Sequence, residues 1–195
     1  MCSFFKCIGC CCCCLFLIVL TLGVVITYFY AVYVPHVPLY EIEKLEVKAF
    51  DMHPDLTLDT QILVTVRAYN PNSNIGFVYG DNGTVSLVFN QTDVLCSGKP
   101  PNFMQGHNNV TMIKVDLAGK SKFGPGLQAA YDENQKSQKP VPLLVTVEMP
   151  MRVVIEHVPL REFRVFVNSS LMVDNLAPNK TIKIVSSDTV FHFEF

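Results

Sequence analysis

Seven of the eight cysteines, Cys2, Cys7, Cys10, Cys11, Cys12, Cys13 and Cys14, fall within the first fourteen residues. Five thiols in a row are poorly arranged for zinc, which wants four tetrahedral ligands, and no second Cys pair or matching His spacing lies elsewhere. Thiols beside an apolar run suit another chemistry, reversible S-acylation on the cytosolic side of a membrane, with Cys10 to Cys14 as candidate sites. The alternative is that cysteine serves here only as a small apolar residue entering the bilayer. Cys96 stands alone in the rest of the chain and cannot close an internal disulfide, so it reads as a buried hydrophobe, or less simply as an intermolecular bridge. The second candidate chemistry is N-glycosylation, because Asn-x-Ser/Thr occurs at Asn82, Asn90, Asn109, Asn168 and Asn179. With 12 Asn and 21 Ser plus Thr, chance placement would yield about one such triplet. The excess implies a lumenal or extracellular surface, although the same residue types also favour turns.

Little else in the chain is arranged for catalysis. His36, His53, His107, His157 and His192 are scattered singly, none with a ligand partner at the usual short spacings. There is no Gly-x-Ser-x-Gly elbow, phosphate loop or dinucleotide fingerprint. Gly124-Pro125-Gly126 reads as a break before a helix, and Asp132 and Glu133 lie in a polar stretch where nothing would raise a carboxyl pKa for acid catalysis. No enzyme activity, cofactor or metal is expected. A formal net charge of -2, from 15 basic and 17 acidic residues, offers no positive field for nucleic acid.

The elements that must carry these groups divide sharply. Cys7 to Pro35 is a run of 29 residues without a formally charged side chain. Leu15 to Val34 alone gives 20 residues, enough at about 1.5 Å each to cross a hydrocarbon core of about 30 Å. A cleavable signal peptide has a shorter apolar core and small residues at its cut site, whereas Ala31 is flanked by Phe29, Tyr30, Val32 and Tyr33. Tyr28, Tyr30 and Tyr33 suit an interface, and Pro35 and Pro38 end the helix. The expected organisation is a cytosolic Cys-rich tail over 1–14, a transmembrane signal anchor over 15–34, a linker over 35–41 and an extracellular β domain over 42–195. Charge asymmetry across the span is too small to orient it; the sequons place the carboxyl-terminal part outside.

Beyond the linker, short alternating runs bounded by Pro, Gly, Asn and Asp predict an all-β domain. Strands are expected over 42–50, 60–69, 85–89, 110–117, 143–147, 152–156, 162–168, 181–185 and 189–195. A short helix is expected over 126–133. A β-sandwich is the economical way to bury so many one-faced strands, with a closed barrel as the alternative. Asn70-Pro71-Asn72 reads as a structural turn, because Pro71 withholds a ladder donor and the flanking amides can bond the backbone.

Asn70-Pro71-Asn72 followed by Ile75-Gly76-Phe77-Val78-Tyr79, the cysteine run before an apolar span, Pro35 and Pro38, and Pro101-Asn102-Phe103-Met104-Gln105-Gly106-His107-Asn108-Asn109-Val110-Thr111 together carry a family likeness. The chain resembles the plant harpin-induced and non-race-specific disease-resistance-like membrane proteins, which carry a late embryogenesis abundant group 2 domain, also called the water-stress and hypersensitive-response domain. That resemblance implies an immunoglobulin-like or fibronectin-like sandwich outside the plasma membrane, a cytosolic amino terminus, and association with pathogen defence and osmotic stress. Partners implied are the bilayer, immune-signalling membrane proteins and cell-wall components. Two family features do not carry over. Gly80-Asp81-Asn82-Gly83 departs from the prototype's Asn-Gly-Asp tripeptide, and His192-Phe193-Glu194-Phe195 reads as a strand end without a hydrophobic tail for lipid anchoring. Three non-enzymatic readings stay open: an anchored recognition or signalling module, a lipid-binding β domain whose sheets splay into a cleft, and a surface protein that protects against desiccation without a specific ligand.

Overall fold

The computed structural model of the protein describes residues 2–32, 36–155, 158–178 and 180–194, with side chains of the amino-terminal helix described from Cys13 to Tyr30. The chain divides into two compact units, 1–36 and 37–195. The first is one helix, α1 (Cys2–Val32). The cysteine run lies within this helix. Within α1 the window Cys13–Tyr30 is long and apolar enough to cross a membrane, and none of it is buried against protein. Thr21 and Thr27 sit in this uncharged stretch without orphaning their hydroxyls. Each donates back to a carbonyl one turn earlier, Leu17 at 2.9 Å and Gly23 at 2.8 Å.

Among the described residues the second unit holds ten strands and one helix. They are β1 (Leu39–Met52), β2 (Thr57–Asn70), β3 (Ile75–Tyr79), β4 (Thr84–Phe89), β5 (Asp93–Gly98), β6 (Phe103–Gln105), β7 (Asn109–Lys122), α2 (Pro125–Ser137), β8 (Val141–Ile155), β9 (Val158–Asp174) and β10 (Thr181–Glu194). All-β is the class the alternation predicts, but the immunoglobulin-like or fibronectin-like sandwich is not the architecture. One antiparallel sheet runs β4-β5-β7-β2-β1-β10-β9-β8, and β8 pairs back onto β4, so eight strands close into a barrel. β3 and β6 extend the sheet beyond β8. The physical reason is the pairing of β8 with β4 from Leu143 to Glu148, which joins the two edges that a sandwich would leave open.

Several short runs in the sequence are single long strands. Residues 143–147 join 152–155 through Met149-Pro150-Met151 into β8, Glu156 lying outside the described residues, and 181–185 joins 189–194 into β10. Proline is normally excluded from a central strand because it lacks a ladder donor. Pro150 is tolerated because β8 pairs β4 only through Glu148 and β3 only from Met151, so Pro150 falls in the gap between two neighbours on that edge. Its carbonyl still accepts from Gly80 N at 2.9 Å.

The helix over 126–133 is longer than expected. Pro125 opens it, Gln138 closes it in the left-handed conformation, and Leu127 and Asn134 are its buried contacts. Asn134 ties α2 to the barrel, donating to Lys139 O at 2.9 Å and Asp174 Oδ1 at 3.0 Å while its own oxygen accepts from Leu176 N at 3.1 Å. The barrel core is aliphatic, built on Leu45, Leu58, Ile62, Val64, Leu87 and Leu117, all but sealed from solvent. A second cluster, Ile75, Phe77, Tyr79, Met149, Met151 and Val165, fills the end where β3 joins the sheet.

Candidate functional site

Barrel closure is unequal around the ring. β1 and β2 share a ladder of twelve residue pairs, whereas among the described residues β1 meets β10 only at Leu45↔Ile182 and Glu46↔Thr181, with Val47 N donating to Lys180 O at 3.0 Å. Above that point the two strands part. The first six residues of β1 pair with β2 alone, and β10 from Ser186 to Glu194 pairs with β9 alone. A bulge between Ile42 and Lys44 on β1 and another between Ile184 and Ser186 on β10 sit at the fork, where an extra residue bends each strand away.

The space between the parted strands is an apolar cleft. Its walls come from eight strands, among them Tyr40 and Ile42 on β1, Ile113 on β7, Val147 on β8, Val167 on β9 and Thr189 on β10. It encloses about 50 Å³ of empty core and about 700 Å³ when the space open to solvent is included. Glu41 is the one charged residue in the lining, and alternation along β1 turns its side chain to the outer face. At the rim, Ser169 Oγ and Thr189 Oγ1 share a hydrogen bond of 2.9 Å. Tyr40 crosses the mouth, its ring centroid 5.9 Å from that of Phe191 on β10. Partly buried Phe163, Phe191 and Phe193 continue the apolar surface outward from the cleft.

Tyr40 is held by a buried polar chain. Gln105 Oε1 can only accept, so Tyr79 O–H donates to it at 2.9 Å, which leaves the Tyr79 oxygen to accept from Tyr40 O–H at 2.7 Å. Gln105 Nε2 donates to Ala68 O at 2.9 Å and Asn109 O at 3.1 Å. The residues that carried the family likeness gather around this chain. Phe103 stacks on Tyr79 at 4.2 Å, and Gly76 leaves room for the Gln105 carbonyl, which a methyl there would approach to 3.1 Å. Asn70, fully buried, donates to Ile75 O at 2.7 Å and Gly106 O at 2.9 Å and accepts from Asn72 N at 3.0 Å and Asn72 Nδ2 at 2.8 Å. Pro71 and Gly106 lie in the two connections so joined. His107 is exposed on the loop before β7.

Burial pushes the Tyr40 phenol up to about 12, partly offset by its bond to Tyr79, and burial pushes Tyr79 up further, assisted by charge on Tyr40. Both folded-state values lie above that of an unfolded tyrosine, about 10. The fold's advantage from these phenols is therefore complete below about pH 10 and is lost as pH rises from there toward 12. We expect the unfolding free energy to fall by up to about 1.4 kcal/mol per pH unit for each phenol above pH 10. Urea unfolding between pH 8 and 11.5 checks this. Tyr40→Phe should flatten part of the slope, and an identical slope in that variant would show that Tyr40 is not involved.

The other sequence candidates are dispersed. Asn82, Asn90, Asn109 and Asn168 are exposed at four separate places, the β3–β4 and β4–β5 turns, the start of β7 and the outer face of β9. Asn82 and Asn90 have positive φ, 70° and 51°, a conformation asparagine tolerates better than most residues. Asn179 lies outside the described residues. Cys13 and Cys14 are exposed free thiols on α1, while the side chains of Cys10, Cys11 and Cys12 lie outside the described residues. Cys96 is buried in the barrel core, and that burial pushes its thiol up to about 12, which makes it inert at neutral pH. Among the histidines, His53 faces Asp59 at 2.9 Å, His192 lies against Phe166, and His157 is outside the described residues. Among the described residues no three His, Cys, Asp or Glu side chains gather as a metal site would require. A polar surface groove near Asp81 and Arg152 is self-satisfied, since Asp81 accepts from Asn102 at 2.9 Å and Arg152 pairs with Glu162 at 2.8 Å.

The cleft residues other than Tyr79 were not singled out by sequence reasoning. Their signal is faint: valines at every second position of 145–147 and 165–167, facing a strand that starts immediately after Pro38.

Across 169 residues the chain is 36% identical to the NDR1/HIN1-like protein 6 of Arabidopsis thaliana, a likeness that takes in 87% of this chain and 67% of that protein. No family model matches the chain.

Proposed function

The chain belongs to the NDR1/HIN1-like family, and from that premise we propose that it is a non-enzymatic, single-pass plasma-membrane protein of plant defence and of water or osmotic stress signalling. In this reading the amino terminus is cytosolic, α1 is an uncleaved signal anchor, and the barrel, as the domain of the late embryogenesis abundant group 2 kind, stands outside the cell. Immune-signalling membrane proteins and cell-wall components are its proposed partners. The observation that carries the reading is the pairing of one helix, uncharged and apolar over Cys13–Tyr30, with a domain on which all four described sequon asparagines are exposed. Cys10 to Cys14 are proposed as acylation sites. Since a spanning helix already holds a protein in the bilayer, acyl chains there would direct lateral sorting rather than retention.

The decisive experiment is on the tagged full-length chain in plant membranes. It should resist alkaline carbonate extraction, lose mass with a glycosidase that removes Asn-linked sugar, and release acyl groups to hydroxylamine. A chain that carbonate strips away, or whose mass is that of the bare polypeptide, is not such a protein. The role in defence is tested separately: unchanged pathogen and osmotic responses in plants lacking the protein and its relatives would end that part.

A second reading, a lipid-binding module at the membrane surface, is favoured by the apolar cleft between β1 and β10. The protein purified from membranes should then retain a stoichiometric lipid by mass spectrometry, and a clean spectrum argues against it.

A further inference from the structure

We infer that the cleft between β1 and β10 takes a single-chain lipid with an uncharged, hydrogen-bonding head, of the monoacylglycerol type, and that Tyr40 is the gate the chain passes. The inference rests on the lipid-binding reading and deepens it. Among the described residues the lining has no Lys, Arg or His, so a carboxylate or phosphate drawn to the rim would be partly desolvated without a countercharge. What the rim does offer is neutral and polar. Thr189, half-buried, brings a hydroxyl that it shares with the buried Ser169, and the parted edges of β1 and β10 carry backbone donors and acceptors that no strand partner takes among the described residues. Hydroxyl and ester groups match that set; an ionised head does not.

The shape selects one chain. The free space of about 50 Å³ takes only a few water-sized groups, so only the end of an aliphatic chain fits before the walls move. A fused ring system or two chains would have to displace more of the wall than one chain does. Admitting one chain requires less. β1 and β10 are joined by two residue pairs, and across the mouth lies the Tyr40 ring, which touches Phe191 and is pinned by its bond to Tyr79. Swinging Tyr40 aside connects the cleft with the outer surface of Phe163, Phe191 and Phe193, which provides a continuous apolar path.

The test uses the full-length chain in phosphatidylcholine vesicles doped with a photoactivatable monoacylglycerol or, in a parallel sample, photoactivatable palmitate, both at about pH 9, where the membrane-bound fatty acid is ionised. After irradiation and digestion, label is read peptide by peptide, with α1 as an internal measure of bilayer exposure. The monoacylglycerol should mark peptides containing Tyr40 to Ile42 and Val165 to Thr189 about tenfold more than palmitate does. Tyr40→Ala should raise the initial labelling rate, and Val147→Trp, which fills the cleft, should abolish labelling of the domain while α1 stays marked. Thr189→Val provides a milder change at the rim and should narrow the difference between the two probes. Equal marking by both probes overturns the neutral-head inference while leaving lipid binding standing. Absence of domain label with either probe overturns the lipid reading itself, and label that persists in Val147→Trp places the lipid elsewhere.

Discussion

Asn70→Ala should lower the stability of the barrel by about 3–5 kcal/mol, the largest loss expected of any single polar side chain in it. Asn70 is fully buried and makes four hydrogen bonds, donating to the carbonyls of Ile75 and Gly106 and accepting from the backbone and side-chain nitrogens of Asn72. Alanine removes both donors at once. The two carbonyls belong to different segments, the start of β3 and the loop after β6, so the loss loosens both from the end of β2. For a domain of this size the melting temperature should fall by roughly 10 °C, read by circular dichroism of the full chain in micelles. Asn70→Asp keeps the acceptor but points a carboxylate at two carbonyl oxygens, and should be no better tolerated than alanine. A change under about 1 kcal/mol in both variants would mean that water replaces the amide and that the corner is not what holds β3.

Gly98→Val should be more damaging still, and should prevent a stable barrel from forming. β5 and β7 are paired at a single position, Ser97↔Ala118, where the strands cross at close quarters. A methyl placed on Gly98 would run into the Asp116 carbonyl oxygen and approach Leu117 Cδ2 to 3.0 Å. Across the same crossing, a methyl on Gly119 would approach Leu95 O to 2.7 Å and Cys96 Cα to 2.8 Å. These neighbours are mostly backbone and cannot rotate away, so the strands must separate. Losses above about 4 kcal/mol are reserved for such mechanisms. The expected result is protein recovered only in aggregates, with Gly98→Ala weakly folded. A Gly98→Val protein that melts within a few degrees of the parent would show that β5 can shift sideways without opening the ring.

How far the sequence predicted this molecule depends on where each signal is stored. α1 and the all-β class were legible because each is written in a period or a run: the uncharged stretch from Cys7 to Pro35, and alternation such as Ile62, Val64, Val66. Closure was not legible. An inward valine has the same neighbours in sequence whether its strand belongs to a sandwich or a barrel. What decides the architecture is the pairing of β8 with β4 and the meetings Leu45↔Ile182 and Ser97↔Ala118, none of which has a local signature. Pro150 and the run Ser186-Ser187-Asp188 misled for a related reason. Both look like strand breaks, yet each falls where its strand has no neighbour on one edge, so a missing donor or a polar side chain does no harm there. β3, β5 and β6 escaped because they are short, and in β3 four of the five residues are buried, which erases alternation.

The candidate site divides along the same line. The asparagines and thiols suited to modification could be found by inspection because their chemistry is local. The Asn-Pro-Asn corner and Gln105 stood out as a pattern, while the hydrogen bonds that join them to Tyr79 and Tyr40 required the fold. The cleft was least visible. It is formed by what β1 and β10 fail to do past their two shared pairs, and an unmade ladder leaves no mark on composition.

That narrow join also governs the order in which the domain is completed. Its two members lie at opposite ends of the domain, so during synthesis the hairpin of β1 and β2 exists long before β10 has emerged. For all of that interval one margin of β1 is bare and could pair with a neighbouring nascent chain. The alternating charges of Glu41, Glu43, Lys44, Glu46 and Lys48 along that strand keep the waiting margin soluble. The ring therefore closes only once β10 has emerged, and any lesion that delays this fourteen-residue strand leaves β1 exposed for longer.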